Sequence, residues 1–186
     1  FRDGKRFGHN TDLWGFSRAF TEGIGDATGE RVLLVGAGGA GVAVADALLT
    51  AGVGELVILD KVIDRAVELA DNLNARFGRH CARALGEADQ IGTVHGLVNA
   101  TPVGMASKPG IPVDDGLLAP DIWVVDIIYF PLETELLRRA RERGCRTMNG
   151  SMMAVYQAVR AFELFSGAEP DVGRMKAVFE SFDKVL

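Results

Sequence analysis

The sequence predicts an α/β fold with a doubly wound, mostly parallel sheet flanked by helices. Three observations carry that expectation. Strand-sized apolar runs alternate with stretches whose apolar residues recur at helical spacing, and most connections between them are short. The run Val32-Leu33-Leu34-Val35 passes directly into Gly36, Gly38 and Gly41, a G-x-G-x-x-G spacing, and a periodic apolar stretch follows. A second apolar run, Glu55 to Leu59, ends in Asp60, 19 residues after Gly41. A buried strand that turns sharply into a helix, followed by a strand ending in a carboxylate, is the opening of a Rossmann-type domain.

Taken in order, the elements fit that class. Phe1 to Gly8 sets charged and aromatic residues around an Asp-Gly pair and reads as half of a hairpin, with no sheet of its own to join. Apolar residues at 13, 14, 16, 19 and 20 make a short helix of Asp12 to Phe20, which the glycines between 23 and 29 break. The first strand is Arg31 to Val35, and its helix runs from about Gly39 to Thr50. The second strand leads through Asp60 into a helix reaching about Phe77, with apolar positions 62, 66, 69, 70, 73 and 77. Ala82 to Leu85 reads as an edge-like strand, Glu87 to Ile91 as a short helical piece, and Val94 to Val98 as a strand ending at Asn99. Pro102 to Pro120 is too rich in Gly, Pro and Asp to be an element. Ile122 to Ile128 reads as a central strand, Leu132 to Arg143 as a helix stopped by Gly144, and Cys145 to Thr147 as a brief strand. Helices over Met152 to Phe165 and Asp171 to Phe182 close the chain.

Composition narrows the function classes. At 186 residues the chain is long enough for one well-packed domain with a small appendage. A net charge of −5, with acidic groups dispersed and no basic stripe, argues against a nucleic-acid partner. No apolar run is long enough to span a membrane. Two cysteines, Cys81 and Cys145, make no disulfide framework, and neither they nor the three histidines show metal-ligand spacing. The expectation is a cytoplasmic protein without a metal. Subunit number is open, and a homodimer is compatible with the sequence.

The chemistry concentrates at the carboxyl ends of the expected strands. Gly36 permits a tight turn, Gly38 lets a phosphate approach the backbone, and Gly41 lets helix and strand pack closely. Asp60 can accept both ribose hydroxyls of an adenosine and repel a 2′-phosphate, so the expected cofactor is NAD. Arg65 can stack on an adenine face or stand as a solvated helix residue. Asn99 to Met105 follows a buried strand as a loop that proline and glycine hold in a fixed path; it can line the nicotinamide side of a cleft or serve as a structural connection. Asp12 can cap its helix, as can Thr11, or stand as a carboxylate beside the cleft. Tyr129 offers a phenol at the crevice rim, and Gln157 interrupts the apolar run Ala154, Val155, Ala158 and Val159 with an amide that needs a partner. His9 reads as a surface histidine, and Met152 and Met153 as core or cleft wall.

These segments resemble the shikimate dehydrogenase family. Gly8 to Asp12 (G-H-N-T-D) looks like the segment carrying its catalytic aspartate, and Val35 to Gly41 like its dinucleotide loop, which places Gly36, Ala37, Gly38, Gly39 and Ala40 against the cofactor. Asn99 to Met105 (N-A-T-P-V-G-M) is similar to the nicotinamide-side loop, bringing in Thr101, Pro102 and Val103. Asp126 to Leu137 and Asn149 to Ala158 match two further signatures. The resemblance implies that Asp12 takes the aspartate's role in a lysine–aspartate dyad. It implies that Thr11, Tyr129 and Gln157 lie near the substrate, and Gly150 and Met153 near the nicotinamide. The family's lysine and its serine-rich substrate segment belong to an amino-terminal domain that this chain lacks. The implied organisation is the end of that domain over residues 1–12, a dinucleotide-binding domain over 13–150, and helices over 151–186 that return to the cleft. Asp60 with Arg65 looks like the NAD-preferring quinate/shikimate branch, and Tyr156 replaces the histidine usual before the glutamine.

The implied reaction is reversible hydride transfer between NAD and a ring alcohol, with shikimate or quinate as the small-molecule substrate. The rival is a non-catalytic dinucleotide-binding or regulatory module on the same scaffold. A methyltransferase using S-adenosylmethionine would explain the glycine loop and Asp60 but not the Asp12, Tyr129 and Gln157 segments, and a folate-linked dehydrogenase fits less well.

Overall fold

The computed structural model describes residues 3–86 and 91–182. Its six strands are β1 (Arg31–Val35), β2 (Glu55–Leu59), β3 (Ala82–Ala84), β4 (Gly96–Asn99), β5 (Trp123–Asp126) and β6 (Arg146–Met148). They form one sheet in the order β3-β2-β1-β4-β5-β6, and every neighbouring pair is parallel. The order reverses beside β1, between β2 and β4. In open α/β sheets the ligand crevice lies at such a switch point, outside the carboxyl ends of the strands.

Alternation along β1 shows how the sheet is sealed. Val32 and Leu34 join one core cluster, while Leu33 and Val35 join the other. The first cluster takes residues from α1 (Thr11–Gly23), α2 (Gly39–Thr50), α3 (Ile63–Phe77) and α5 (Ser151–Ser166). The second takes Leu136, Leu137 and Ala140 of α4 (Glu135–Glu142), together with Leu118 and Ile122. Trp123 is buried, stacks edge-on against Phe20 at 5.2 Å, and its Nε1 donates to Glu30 at 2.7 Å. A Cβ on Gly96 would lie 2.1 Å from that indole, so the ring fits only because β4 carries glycine there.

Register sets where the strands end. Val35 pairs with both Leu59 and Asn99, and Asn99 with Asp126, so β1, β2, β4 and β5 stop at one level. Helices α1 and α5 pack against each other within the first core cluster. Their close approach depends on Gly15, where a Cβ would meet Met153 O at 2.6 Å and Gln157 N at 2.7 Å. Helix α6 (Val172–Phe182) packs on α5 with no buried residue of its own, and residues 3–10 are all exposed. Among the described residues no helix is long and apolar enough to cross a membrane.

Several element boundaries differ from the sequence expectation. Asp3 and Gly4 form the expected turn, both with positive φ, but residues 6–10 form no strand. The strand expected over 122–128 is only Trp123–Asp126, because the Asp126 carboxylate captures the Ile128 N–H at 3.1 Å and ends the ladder. It stands next to the edge strand β6 rather than at the centre. Helix α4 starts at Glu135 instead of Leu132, where Thr134 accepts from Leu137 N as its cap. The 102–120 loop holds one 3-10 turn, Asp115–Leu117, initiated by the Asp114 side chain. His95 precedes β4 rather than lying in it, and its Nδ1 accepts from Arg31 N. The helical piece expected over 87–91 falls almost wholly outside the described residues.

Gly96→Ala should destabilise the fold by about 1–3 kcal/mol through overpacking against Trp123. Thermal unfolding followed by circular dichroism checks this, and an unchanged midpoint contradicts the packing described.

Candidate functional site

The glycine loop is built by three different constraints. Gly36 has φ +104 and packs against the chain after β4, where a Cβ would meet Ala100 O at 2.7 Å. Gly41 faces back onto the loop, where a Cβ would lie 2.0 Å from Gly36 O. Gly38 differs from both. Its φ is −79, and a Cβ there would meet nothing within 4 Å. The protein's own packing therefore does not require glycine at this position. Gly38 is also the N-cap of α2 and offers no side-chain cap, so the first N–H groups of the helix, at Gly39 and Ala40, are open to an anion.

Asp60 stands across from this turn. One oxygen accepts from Ala37 N at 2.7 Å and the other from Val62 N at 2.9 Å, tying the end of β2 to the glycine loop. Burial opposes ionisation of this carboxyl, but the two N–H donors and the charges of Arg65 and Lys61 outweigh it and hold it below the usual carboxylate range. It therefore presents a fixed negative charge with lone pairs to spare. A cleft of about 700 Å³ is lined by Gly36, Gly38, Asp60 and Arg65 on one side and by Thr101, Pro102 and Val103 on the other. Those are the groups a dinucleotide requires: a bare helix end for its phosphates, a carboxylate for its ribose and apolar walls. Ala37 and Gly39 belong to the turn itself.

A buried network fixes the second wall. Asn99 Oδ1 accepts from Thr101 N at 3.0 Å and Thr101 Oγ1 at 2.7 Å, while its Nδ2 donates to Val103 O at 2.9 Å and Asp126 Oδ1 at 3.1 Å. Asp126, fully buried, also accepts from Thr134 Oγ1 at 2.7 Å. Burial pushes the Asp126 carboxyl up, against the pull of its three donors. The sequence reading placed Asn99 at the crevice but missed Asp126 and Thr134 as its supports.

The remaining expected residues gather in a second pocket of about 480 Å³. Asp12, Ala40, Tyr129, Gly150, Met153 and Gln157 all line it. Gly150 must be glycine, since a Cβ would lie 2.0 Å from Ile127 O where α5 starts beside the end of β5. Neither Asp12 nor Thr11 caps α1. Asn10 does, accepting from Leu13 N at 3.1 Å, which leaves the Asp12 carboxylate exposed at the pocket. Gln157 is only partly buried, contrary to the expectation of a buried amide, and it already has a partner: Thr11 Oγ1 donates to its Oε1 at 3.4 Å. Its Nε2 is left as the donor available to a ligand. Tyr129 is half exposed, with its ring edge-on to Phe130 and Phe179. Phe179, from α6, also lines the pocket, and nothing in the sequence singled it out. Tyr156 turns away: it is buried, its hydroxyl donates to Glu22, and Trp14 meets it edge-on at 6.2 Å. Tyr156 is not among the residues lining the pocket. His9 is exposed. Among the described residues no group of three or more His, Cys, Asp or Glu is placed to hold a metal.

Comparison with known proteins bears directly on this arrangement. Residues 19–91 match the family described as Shikimate / quinate 5-dehydrogenase, and residues 150–178 match the Shikimate 5'-dehydrogenase C-terminal domain. The chain is 52% identical over 186 residues to a shikimate dehydrogenase (NADP(+)) of Streptomyces avermitilis, covering 95% of this chain and 62% of that protein. It is 50% identical over 182 residues to a quinate/shikimate dehydrogenase (NAD(+)) of Corynebacterium efficiens, covering 96% and 64%. The solved quinate dehydrogenase from Corynebacterium glutamicum in complex with NAD superposes with a TM-score of 0.87 at 48% identity, over 94% of this chain and 63% of that one. The chain thus spans a little over three fifths of the length of the curated relatives it matches.

The lowered Asp60 carboxyl sets a pH dependence. A carboxyl that ionises more readily folded than unfolded adds stability above the ordinary carboxylate range, and that stability disappears as pH falls through its folded value. Asp60→Asn should therefore be less stable than the parent at pH 7, with the gap narrowing as pH falls below the ordinary carboxylate range. Urea unfolding across a series of pH values checks this; a gap that does not change with pH contradicts it.

Proposed function

Since the chain belongs to the shikimate dehydrogenase family, we propose that it is the dinucleotide-binding part of an NAD-dependent oxidoreductase. The enzyme interconverts shikimate and 3-dehydroshikimate, quinate and 3-dehydroquinate, or both, and works in the cytoplasm. The observation that carries the reading is the pair of neighbouring clefts: one with a bare helix end and a fixed carboxylate, the other with Asp12, Tyr129 and Gln157.

Each residue has a part in that reaction. The N–H groups at Gly38, Gly39 and Ala40 hold the pyrophosphate on the helix end. Asp60 would accept the adenosine ribose hydroxyls and Arg65 would cover the adenine, while Thr101, Pro102 and Val103 line the opposite wall toward the nicotinamide side. Gly150 and Met153 border the nicotinamide. A bound nicotinamide dinucleotide supplies the hydride acceptor. Gln157 donates through Nε2 to a ring substituent, with Thr11 holding its other end, and the Tyr129 hydroxyl adds a second polar contact at the rim. Asp12 orients and tunes a lysine that takes the hydroxyl proton. That lysine comes from the amino-terminal domain implied by the resemblance, whose last residues are 1–12. Residues 13–150 carry the dinucleotide, although α1 starts at Thr11 and so crosses that boundary. Residues 151–186 carry α5 and α6, whose exposed Phe162, Val178 and Phe182 are offered to that domain.

NAD preference over NADP follows from Asp60, whose fixed charge opposes a 2′-phosphate. Titrating both oxidised cofactors should give tighter NAD binding, and Asp60→Ala should narrow the difference. Equal or tighter NADP binding by the parent protein contradicts the preference.

In the complete enzyme, Asp12→Asn should lower turnover with quinate or shikimate by about tenfold, less than the roughly 10²–10⁴-fold of a lost proton-transfer group, because Asp12 acts through the lysine. NAD affinity should stay the same. Steady-state rates beside a direct NAD titration measure this, and unchanged turnover removes Asp12 from the chemistry.

A further inference from the structure

The cleft between the glycine loop and the 99–103 loop has an unusual charge balance for this protein. The chain as a whole carries −5, yet Lys61, Arg65 and Lys108 line this one cleft against the single carboxylate of Asp60. None of the ion pairs among the described residues uses any of the three cations. Two of them have a visible task, because the charges of Arg65 and Lys61 act on Asp60 and help keep it ionised. Lys108 comes from the other wall, beside Thr101, Pro102, Val103 and Pro112, and pairs with no carboxylate among the described residues.

Its backbone is held firmly. Lys108 O accepts from Gly104 N at 2.8 Å, and Lys108 N donates to Met105 O at 2.9 Å, closing a tight turn. Gly104 makes that turn with φ +116 and rests against Ile128 and Thr134. The turn continues the segment that Asn99 grips through Val103 O, and Asn99 in turn is held by Asp126. A long cationic side chain thus projects from an anchored turn into a cleft left with an excess of positive charge. An acidic protein that admits a polyanion requires such a local field.

We propose that Lys108 is a further cofactor-binding residue whose ammonium neutralises the pyrophosphate of the dinucleotide held in this cleft. The inference rests on the dinucleotide reading above. The ammonium complements the helix end of α2 from the loop side, so that the phosphates lie between N–H groups and a cation. Being partly solvated, the contact is modest and screened by salt.

The test is a titration of the full chain and of Lys108→Gln and Lys108→Arg with NAD and with NADP, each at low and at moderate ionic strength. Lys108→Gln should bind both cofactors about fivefold more weakly at low salt, the scale of one partly solvated ion contact. The loss should shrink as salt rises, and Lys108→Arg should restore most of the affinity. Wild-type affinity for NAD in Lys108→Gln overturns the inference while leaving the dinucleotide reading intact. A loss confined to NADP also overturns it, since that places the ammonium at a 2′-phosphate. Failure of the parent protein to bind either cofactor overturns the dinucleotide reading itself, and this inference with it.

Discussion

Helix α2 can leave β1 where it does only because Gly41 has no side chain. With a Cβ 2.0 Å from Gly36 O, the first turn of the helix would be pushed off the strand end. That single contact brings an uncapped helix terminus to the carboxyl edge of the sheet. Asp60 then locks the turn from β2 by accepting the Ala37 N–H. The two constraints act on one loop from opposite sides. One removes bulk so that the backbone can come close; the other adds a hydrogen-bond acceptor so that it stays. The helix end so placed begins at Gly38 and has no side-chain cap for its first N–H groups.

The other half of the edge is held by polar burial instead of by absent side chains. Asp126 is a carboxylate with no solvent exposure, a costly group to bury unless its partners are good. It has three: Asn99, Thr134 and the Ile128 N–H. Those donors belong to the β4 loop, the start of α4 and the segment leading to Tyr129. One carboxylate therefore sets three pieces of chain in register at the site, and it does so in a low-dielectric place where each bond is strengthened. Desolvation still raises its carboxyl, so the network is a support maintained against an electrostatic cost. The support reaches the mouth of the cleft through Val103 and Gly104 to Lys108.

Legibility in the sequence followed the range of the interactions. The strand-to-helix turn at 36–41 was readable because its constraint lies within six residues, and the parallel order followed from alternation of element types. Strand ends were read too long at 127 and 128 because those residues are apolar, whereas the ladder stops where a side chain takes over a backbone donor. The residues alone leave the α1 cap open, since Asn10, Thr11 and Asp12 all have capping side chains and only geometry selects Asn10. Gln157 was recognised as needing a partner, but that partner, Thr11, lies 146 residues away in sequence and depends on the α1–α5 approach at Gly15. Asp126 and Lys108 gave no periodic signal. One interrupts an apolar run and the other sits in a loop, and only tertiary packing shows what either faces.

Common to all of this is the cleft between the glycine loop and the segment after Asn99, where the proposed dinucleotide would bind. The most direct measurement is hydrogen exchange of the backbone amides with and without saturating NAD. The account predicts slowed exchange concentrated at Gly38 to Ala40 and in the segment after Asn99, with little change in α4 and β6. Protection spread evenly over the chain, or none at Gly38 to Ala40 while NAD is demonstrably bound, would contradict it.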